Sequence, residues 1–129
     1  MLLKEPELFE FLKEFHYPDL EKSDSKFATF DCLSRKQRLY IELKSRNTHY
    51  DDLLIEKIKY EAIRGAAYFL GYSPMYINST PEGVWGFELN LMPEPEWSDR
   101  WLPSKTEFPG GSNRTKVVGY LHIKDGIKL

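Results

Sequence analysis

The sequence predicts an α/β domain with a central mixed β-sheet flanked by helices. Short apolar stretches of period two alternate with longer stretches of helical period, and 129 residues suit a single domain spanning 1–129. A chain of this size buries about two-thirds of its unfolded surface and folds without staples. Hydrophobic residues make up 41% and aromatics 15%, which excludes a disordered or collagen-like chain.

Residues 6–16 read as a helix. Pro6 suits the first turn, where its missing N–H is not needed. Leu8, Phe11, Leu12 and Phe15 recur at helical spacing as a buried stripe, and Tyr17-Pro18 ends the element. A short strand is expected around Leu20. Residues 26–33 and 38–45 read as a strand pair joined by the polar linker Ser34-Arg35-Lys36-Gln37. In the second strand Leu39, Ile41 and Leu43 point one way, and Tyr40, Glu42 and Lys44 the other.

Residues 50–70 read as the longest helix, with Leu54, Ile55, Ile58, Ala62, Ala66 and Phe69 on one stripe. Asp51 and Asp52 favour its positive N-terminal end, and Gly71 stops it. Residues 74–78 and 83–91 read as strands around the turn Ser79-Thr80-Pro81-Glu82. Residues 92–115, with four prolines, two tryptophans and Gly110-Gly111, read as a long loop before a last strand at 116–123.

The formal net charge of −2 excludes a bulk polycation. Its distribution is uneven, however: Arg35, Lys36, Arg38, Lys44 and Arg46 face one acid, Glu42, within residues 35–46. A second basic stretch holds Arg114 and Lys116. The single cysteine, Cys32, can form neither an internal disulfide nor a Cys-rich zinc site, which points to a reducing, cytoplasmic setting. No apolar run approaches the ~18 residues of a membrane span, and no signal-peptide pattern opens the chain. Phosphate loops, dinucleotide fingerprints and nucleophile elbows are absent from the sequence, so no nucleotide cofactor is expected.

The informative chemistry lies in Phe30-Asp31 and, ten residues on, Glu42-Leu43-Lys44. Glu42 and Lys44 share a strand face, and Asp31 on the preceding strand reaches the same place across the hairpin. Two carboxylates and a lysine on one face suit a hard divalent cation. Such a cation takes oxygen ligands, activates water and takes up charge on a phosphate. A neighbouring ammonium orients the water or stabilises the oxyanion. The same Glu-x-Lys pattern also describes a merely solvated strand face.

Phe-Asp-Cys, followed by Leu-Tyr-Ile-Glu-Leu-Lys-Ser-Arg, resembles the core of the PD-(D/E)xK nuclease superfamily, the fold of restriction endonucleases and Holliday junction resolvases. The resemblance covers about residues 6–80 by element order and 30–46 by motif. It implies a restriction-endonuclease-like fold of helix, three-strand meander, helix and further strand. It also implies Mg²⁺ (Mn²⁺ as alternative) held by Asp31, Glu42 and the Leu43 carbonyl, with Lys44 as catalytic lysine. Many relatives carry a Gln or Lys on the second helix, which suggests Lys59 as a further catalytic group and Lys57 as the next choice. Others place an acid on the first helix, where Glu7, Glu10 and Glu14 stand. Phe30 replaces the motif's proline, while a literal Pro18-Asp19 makes Asp19 a rival for the first ligand.

The expected activity is therefore Mg-dependent hydrolysis of DNA phosphodiesters by a small endonuclease. It would suit a phage or mobile element acting in the host cytoplasm, and a homodimer would match two antiparallel strands. Arg35, Lys36, Arg38, Arg46, His49, Arg114 and Lys116 are the expected nucleic-acid contacts. Trp97, Trp101 and Phe108 are candidates for stacking on bases. The alternatives are a non-catalytic nucleic-acid-binding module of the same fold and a protein-interaction domain.

Overall fold

A computed structural model describes residues 2–23, 31–102 and 114–129. Helix α1 (Glu5–Phe15) leads through a two-residue strand β1 (Glu21–Lys22) to β2 (Asp31–Ser34) and β3 (Leu39–Ser45). Then come β4 (Asp52–Glu56), α2 (Lys57–Leu70), β5 (Ser73–Thr80) and β6 (Gly83–Glu88). The chain ends with β7 (Ser98–Leu102), β8 (Arg114–His122) and β9 (Ile127–Lys128). Among the described residues, six strands form one mixed sheet in the order β1-β2-β3-β5-β6-β9. β1, β2 and β3 make an antiparallel meander, β5 runs parallel to β3 after the α2 crossover, and β6 and β9 return antiparallel. A second antiparallel sheet has the order β4-β8-β7. The α/β class and mixed sheet are those the sequence predicts. No helix among the described residues is long and apolar enough to cross a membrane.

The large sheet separates two apolar layers. On one face α1 lays Leu8, Phe9 and Leu12 onto Cys32, Ile41, Leu43, Met75 and Ile77. Each fully buried leucine there contributes about 1.5–3 kcal/mol. The predicted α1 stripe is corrected at two positions: Phe9 is inside and Phe15 is 64% exposed. Tyr17 and Leu20, in the turn between α1 and β1, are buried in the same layer. On the other face Leu53, Ile55, Tyr60, Ile63, Tyr76, Trp85 and Phe87 form the second layer, with Tyr40 against it.

The predicted helix over 50–70 is two elements. Leu53 and Ile55 alternate with Asp52, Leu54 and Glu56, and this period-two run pairs with β8, Leu53 opposite Leu121 and Ile55 opposite Gly119. The helix proper begins only at Lys57 and buries Tyr60, Ile63 and Ala67 rather than Ile58, Ala62 and Phe69. Its C-terminal stop is the predicted one. Gly71 takes the left-handed conformation (φ 74°), and the Tyr72 N–H reaches back to the Ala67 carbonyl. The 92–115 stretch, predicted as loop, contains β7, and β8 starts at Arg114 rather than 116. Most of the 26–33 strand prediction, Phe108 and Gly110-Gly111 lie outside the described residues.

Candidate active site

Hairpin β2–β3 is in a register that sets Asp31 directly opposite Glu42. Alternation puts both carboxylates, with Tyr40 and Lys44, on the sheet face that α2 covers. Cys32 and Ile41 turn to the α1 side. Glu42 is 5% exposed. A buried carboxylate requires partners, and Lys59 of α2 supplies one: its Nζ donates to Glu42 Oε1 at 2.7 Å. Burial holds the Glu42 pKa above its ordinary value. The Lys59 hydrogen bond pulls it down, and the adjacent Asp31 charge pushes it up again.

The Tyr40 hydroxyl donates to Asp31 Oδ2 at 2.7 Å and fixes the carboxylate's orientation. Burial first, and this bond second, raise the Tyr40 pKa, so the hydroxyl stays a donor at neutral pH. Lys44 stands two residues from Glu42, half-buried on the same face, in register with Asn78 of β5. Tyr76, opposite Glu42 on β5, is pushed up to about 12 by burial, against the pull of the Arg46 charge. Glu56, at the start of α2, is close enough for its charge to act on Tyr76 and forms an ion pair with Lys116 at 3.1 Å.

The structure thus brings together Asp31, Glu42 and Lys59, with Lys44 beside them. The Leu43 side chain belongs to the α1 layer, which leaves its backbone as the only part available to a site on the other face. Among the described residues no three His, Cys, Asp or Glu side chains converge on one point. A pair of carboxylates is nonetheless the usual protein share for Mg²⁺, which keeps several waters and is held through one or two carboxylates. An all-oxygen, partly buried pair in which the Asp31 charge raises the proton affinity of Glu42 fits a hard divalent cation. The Cys32 thiol, pushed up to about 12 by burial, points to the opposite face.

The rival Asp19 has other work. Its carboxylate accepts from the Ser34 hydroxyl at 2.7 Å and from the Lys36 N–H at 2.9 Å, closing the β2–β3 turn. Those bonds, the Lys36 N–H first, hold its pKa below the ordinary carboxylate value. Ser34 ends β2 where Asp31 begins it, so the two aspartates serve opposite ends of one hairpin.

The expected nucleic-acid contacts are scattered. Arg35, Lys36 and Arg38 are exposed at the turn, away from Asp31, with Arg35 ion-paired to Glu21 at 2.6 Å. Arg46 is turned inward: it donates to Asn78 Oδ1 (2.7 Å), the Tyr76 hydroxyl (3.0 Å) and the Leu54 carbonyl. Its planar fork of donors thus ties the end of β3 to acceptors on β4 and β5. His49 is likewise engaged internally. Its ring contacts Trp85, with Nδ1 at 2.9 Å from Thr80 Oγ1 and Nε2 at 3.1 Å from Asp51. Lys116 is held by Glu56, and the side chain of Arg114 lies outside the described residues. Trp97 packs edge-on against Tyr60 and donates to Glu94, whereas Trp101 is exposed on β7. The acids of α1, Glu7, Glu10 and Glu14, lie on the helix packed against the other sheet face.

Sequence reasoning did not assign roles to Tyr40, Tyr76 or Glu56. Tyr40 was within reach of it, because alternation alone puts its ring on the Glu42 face. Tyr76 and Glu56 enter only through the β3–β5 register and the β4–α2 junction. Comparison with protein-family models, with curated proteins and with solved structures gives no match.

Proposed function

We propose that this chain is a Mg-dependent DNA endonuclease of the PD-(D/E)xK type, with Asp31, Glu42, Lys44 and Lys59 at its active site. The observation that carries the proposal is the pairing of Asp31 with Glu42 across the hairpin while Lys59 bonds Glu42 from α2. The strand order supports the restriction-endonuclease-like reading: an antiparallel meander whose third strand, β3, is followed by a helical crossover to a parallel neighbour.

Asp31, Glu42 and the Leu43 carbonyl are the groups that would hold Mg²⁺ or Mn²⁺. When bound, the cation supplies Lewis-acid charge for the scissile phosphate and lowers the pKa of the attacking water. Tyr40 fixes the Asp31 carboxylate through its hydrogen bond. Lys59 favours the ionised form of Glu42 and offsets part of the burial that favours its protonation. Lys44 offers an ammonium on the same face to stabilise the charge that develops on the phosphate. Duplex DNA would meet this face from the side of Lys44, with Arg35, Lys36 and Arg38 as more distant phosphate contacts.

The test is incubation with supercoiled plasmid, single-stranded DNA and four-way-junction DNA, in Mg²⁺ and in excess chelator. Cleavage of one of them only in Mg²⁺, lost in Asp31→Asn, supports the proposal. Cleavage unaffected by chelator, or by Asp31→Asn, removes it.

A further inference from the structure

Helix α2 has a second apolar stripe that the described residues leave exposed. Tyr60, Ile63 and Ala67 face the core, yet Ile58 is 75% exposed, Tyr68 88% and Phe69 89%. At about 100° per residue, Ile58, Ala62, Gly65 and Phe69 fall within roughly 60° of one another, nearly opposite the buried stripe. The outward pole of a surface helix is where charged residues normally stand.

The stripe reads the same in both directions. Ile58 and Phe69 lie at its ends, Ala62 and Gly65 at its centre, each pair symmetric about the midpoint between Ile63 and Arg64. An antiparallel copy would therefore set Ile58 against Phe69 at both ends and Ala62 against Gly65 in the middle, as a two-fold axis requires. The centre is also the place where two backbones can approach. Gly65 is exposed mid-helix, and a Cβ there would meet nothing within 4 Å, so packing inside the chain gives no reason for a residue unfavourable to helices. Tyr68 and Phe69 each offer on the order of 150 Å². Tyr68 and Leu70 flank the stripe on opposite sides, at about 90–110° from its centre; counted in full with Ile58 they bring the area buried by two copies to at most about 1,000 Å², the lower bound of a specific interface.

We infer that the chain forms a two-fold homodimer through antiparallel packing of α2 on α2, with Ile58 of each copy against Phe69 of the other and the Ala62–Gly65 pairs at the axis. Lys59 lies on the flank of the helix, about 90° from the stripe's centre, and turns inward to Glu42, so the contact does not cover the carboxylate pair. The inference rests on the surface alone and does not depend on the nuclease reading.

Sedimentation velocity of the full chain from about 1 to about 200 μM tests it, the range in which a small interface without charged anchors is expected to associate. Ile58→Glu and Phe69→Lys are suited to their helix ends by the macrodipole and so preserve the helix. Each alone should be monomeric throughout. Mixed in equal amounts they should dimerise, because the antiparallel arrangement opposes the introduced carboxylate to the introduced ammonium at one end and keeps the apolar contact of Ile58 with Phe69 at the other. Gly65→Gln should abolish the dimer while raising Tm, measured at monomeric concentration, by roughly 2–5 °C through helix propensity. A wild-type chain that stays monomeric to 200 μM overturns the inference, including one that instead binds anionic lipid vesicles through this face. So does a dimer that survives both single substitutions, or two monomeric variants whose mixture stays monomeric.

Discussion

The Lys59 ammonium lies 2.7 Å from Glu42 Oε1, so α2 supplies the counter-charge for a carboxylate buried on β3. That bond does not fully offset the burial, since Glu42 still titrates above its ordinary value of 4.5. Between the unfolded and the folded pKa the native chain binds more protons than the unfolded one. The stability Glu42 contributes is therefore fully present below the unfolded pKa and is lost as pH rises through the folded pKa. Glu42→Gln should remove that part of the slope and be at least as stable as the wild type at pH 8 without divalent cation. Urea unfolding at several pH values between 4 and 8 checks this. A variant clearly less stable at pH 8 would mean that the Lys59 pair outweighs the burial cost.

Asp31 and Asp19 should separate cleanly. Asp31→Asn should abolish cleavage and leave the fold intact. Asp19→Asn should keep cleavage within a few-fold and lower Tm, since it weakens the closure of the β2–β3 turn through Ser34 and Lys36. Asp19 is held below its ordinary pKa, so its contribution is present above the unfolded value and lost as pH falls through the folded one. Cleavage assays paired with melting curves decide between the two acids.

Lys44→Ala should lower the single-turnover cleavage rate by about 10²–10⁴-fold, the range of a positioned proton-transfer or charge-stabilising group. DNA affinity measured in Ca²⁺ should change little, because one phosphate contact among several alters the salt slope by about one. Normal cutting with weak binding would instead make Lys44 a phosphate clamp.

Tyr40→Phe removes only the hydroxyl that orients Asp31. Loss of such a supporting bond typically costs about 10–100-fold in metal affinity or activity. The Mg²⁺ concentration for half-maximal cleavage should rise by that factor, with apparent DNA affinity unchanged. An unaltered Mg²⁺ dependence would leave Tyr40 a packing residue only.

Arg46→Met should act on stability rather than on DNA binding. The guanidinium bonds Asn78, Tyr76 and Leu54, of which Asn78 and Tyr76 are buried, and its removal strands these acceptors at a cost of about 2–3 kcal/mol. Urea denaturation should show that loss, and the salt dependence of DNA binding should stay as in the wild type.

Local periodicity determined the parts of this protein that depend on near neighbours. Alternation from Leu39 to Ser45 put Tyr40, Glu42 and Lys44 on one face, and the polar run at 34–37 closed the hairpin that brings Asp31 across to them. Pro6 and Gly71 marked one helix start and one helix end, because each expresses a backbone constraint of its own residue. Tertiary structure decided what depended on distant partners. Leu53 and Ile55 fit a helical stripe as well as a strand, and only pairing with β8, more than sixty residues away, makes them a strand. That strand sets the rotation of α2, which has two apolar stripes; the core takes Tyr60, Ile63 and Ala67 and leaves Ile58 and Phe69 outside. Arg46 looked like a phosphate contact by its charge, but its role came from acceptors on β4 and β5 that no local pattern reveals. Lys59 was only one of two helix lysines until the same rotation turned it, and not Lys57, toward Glu42.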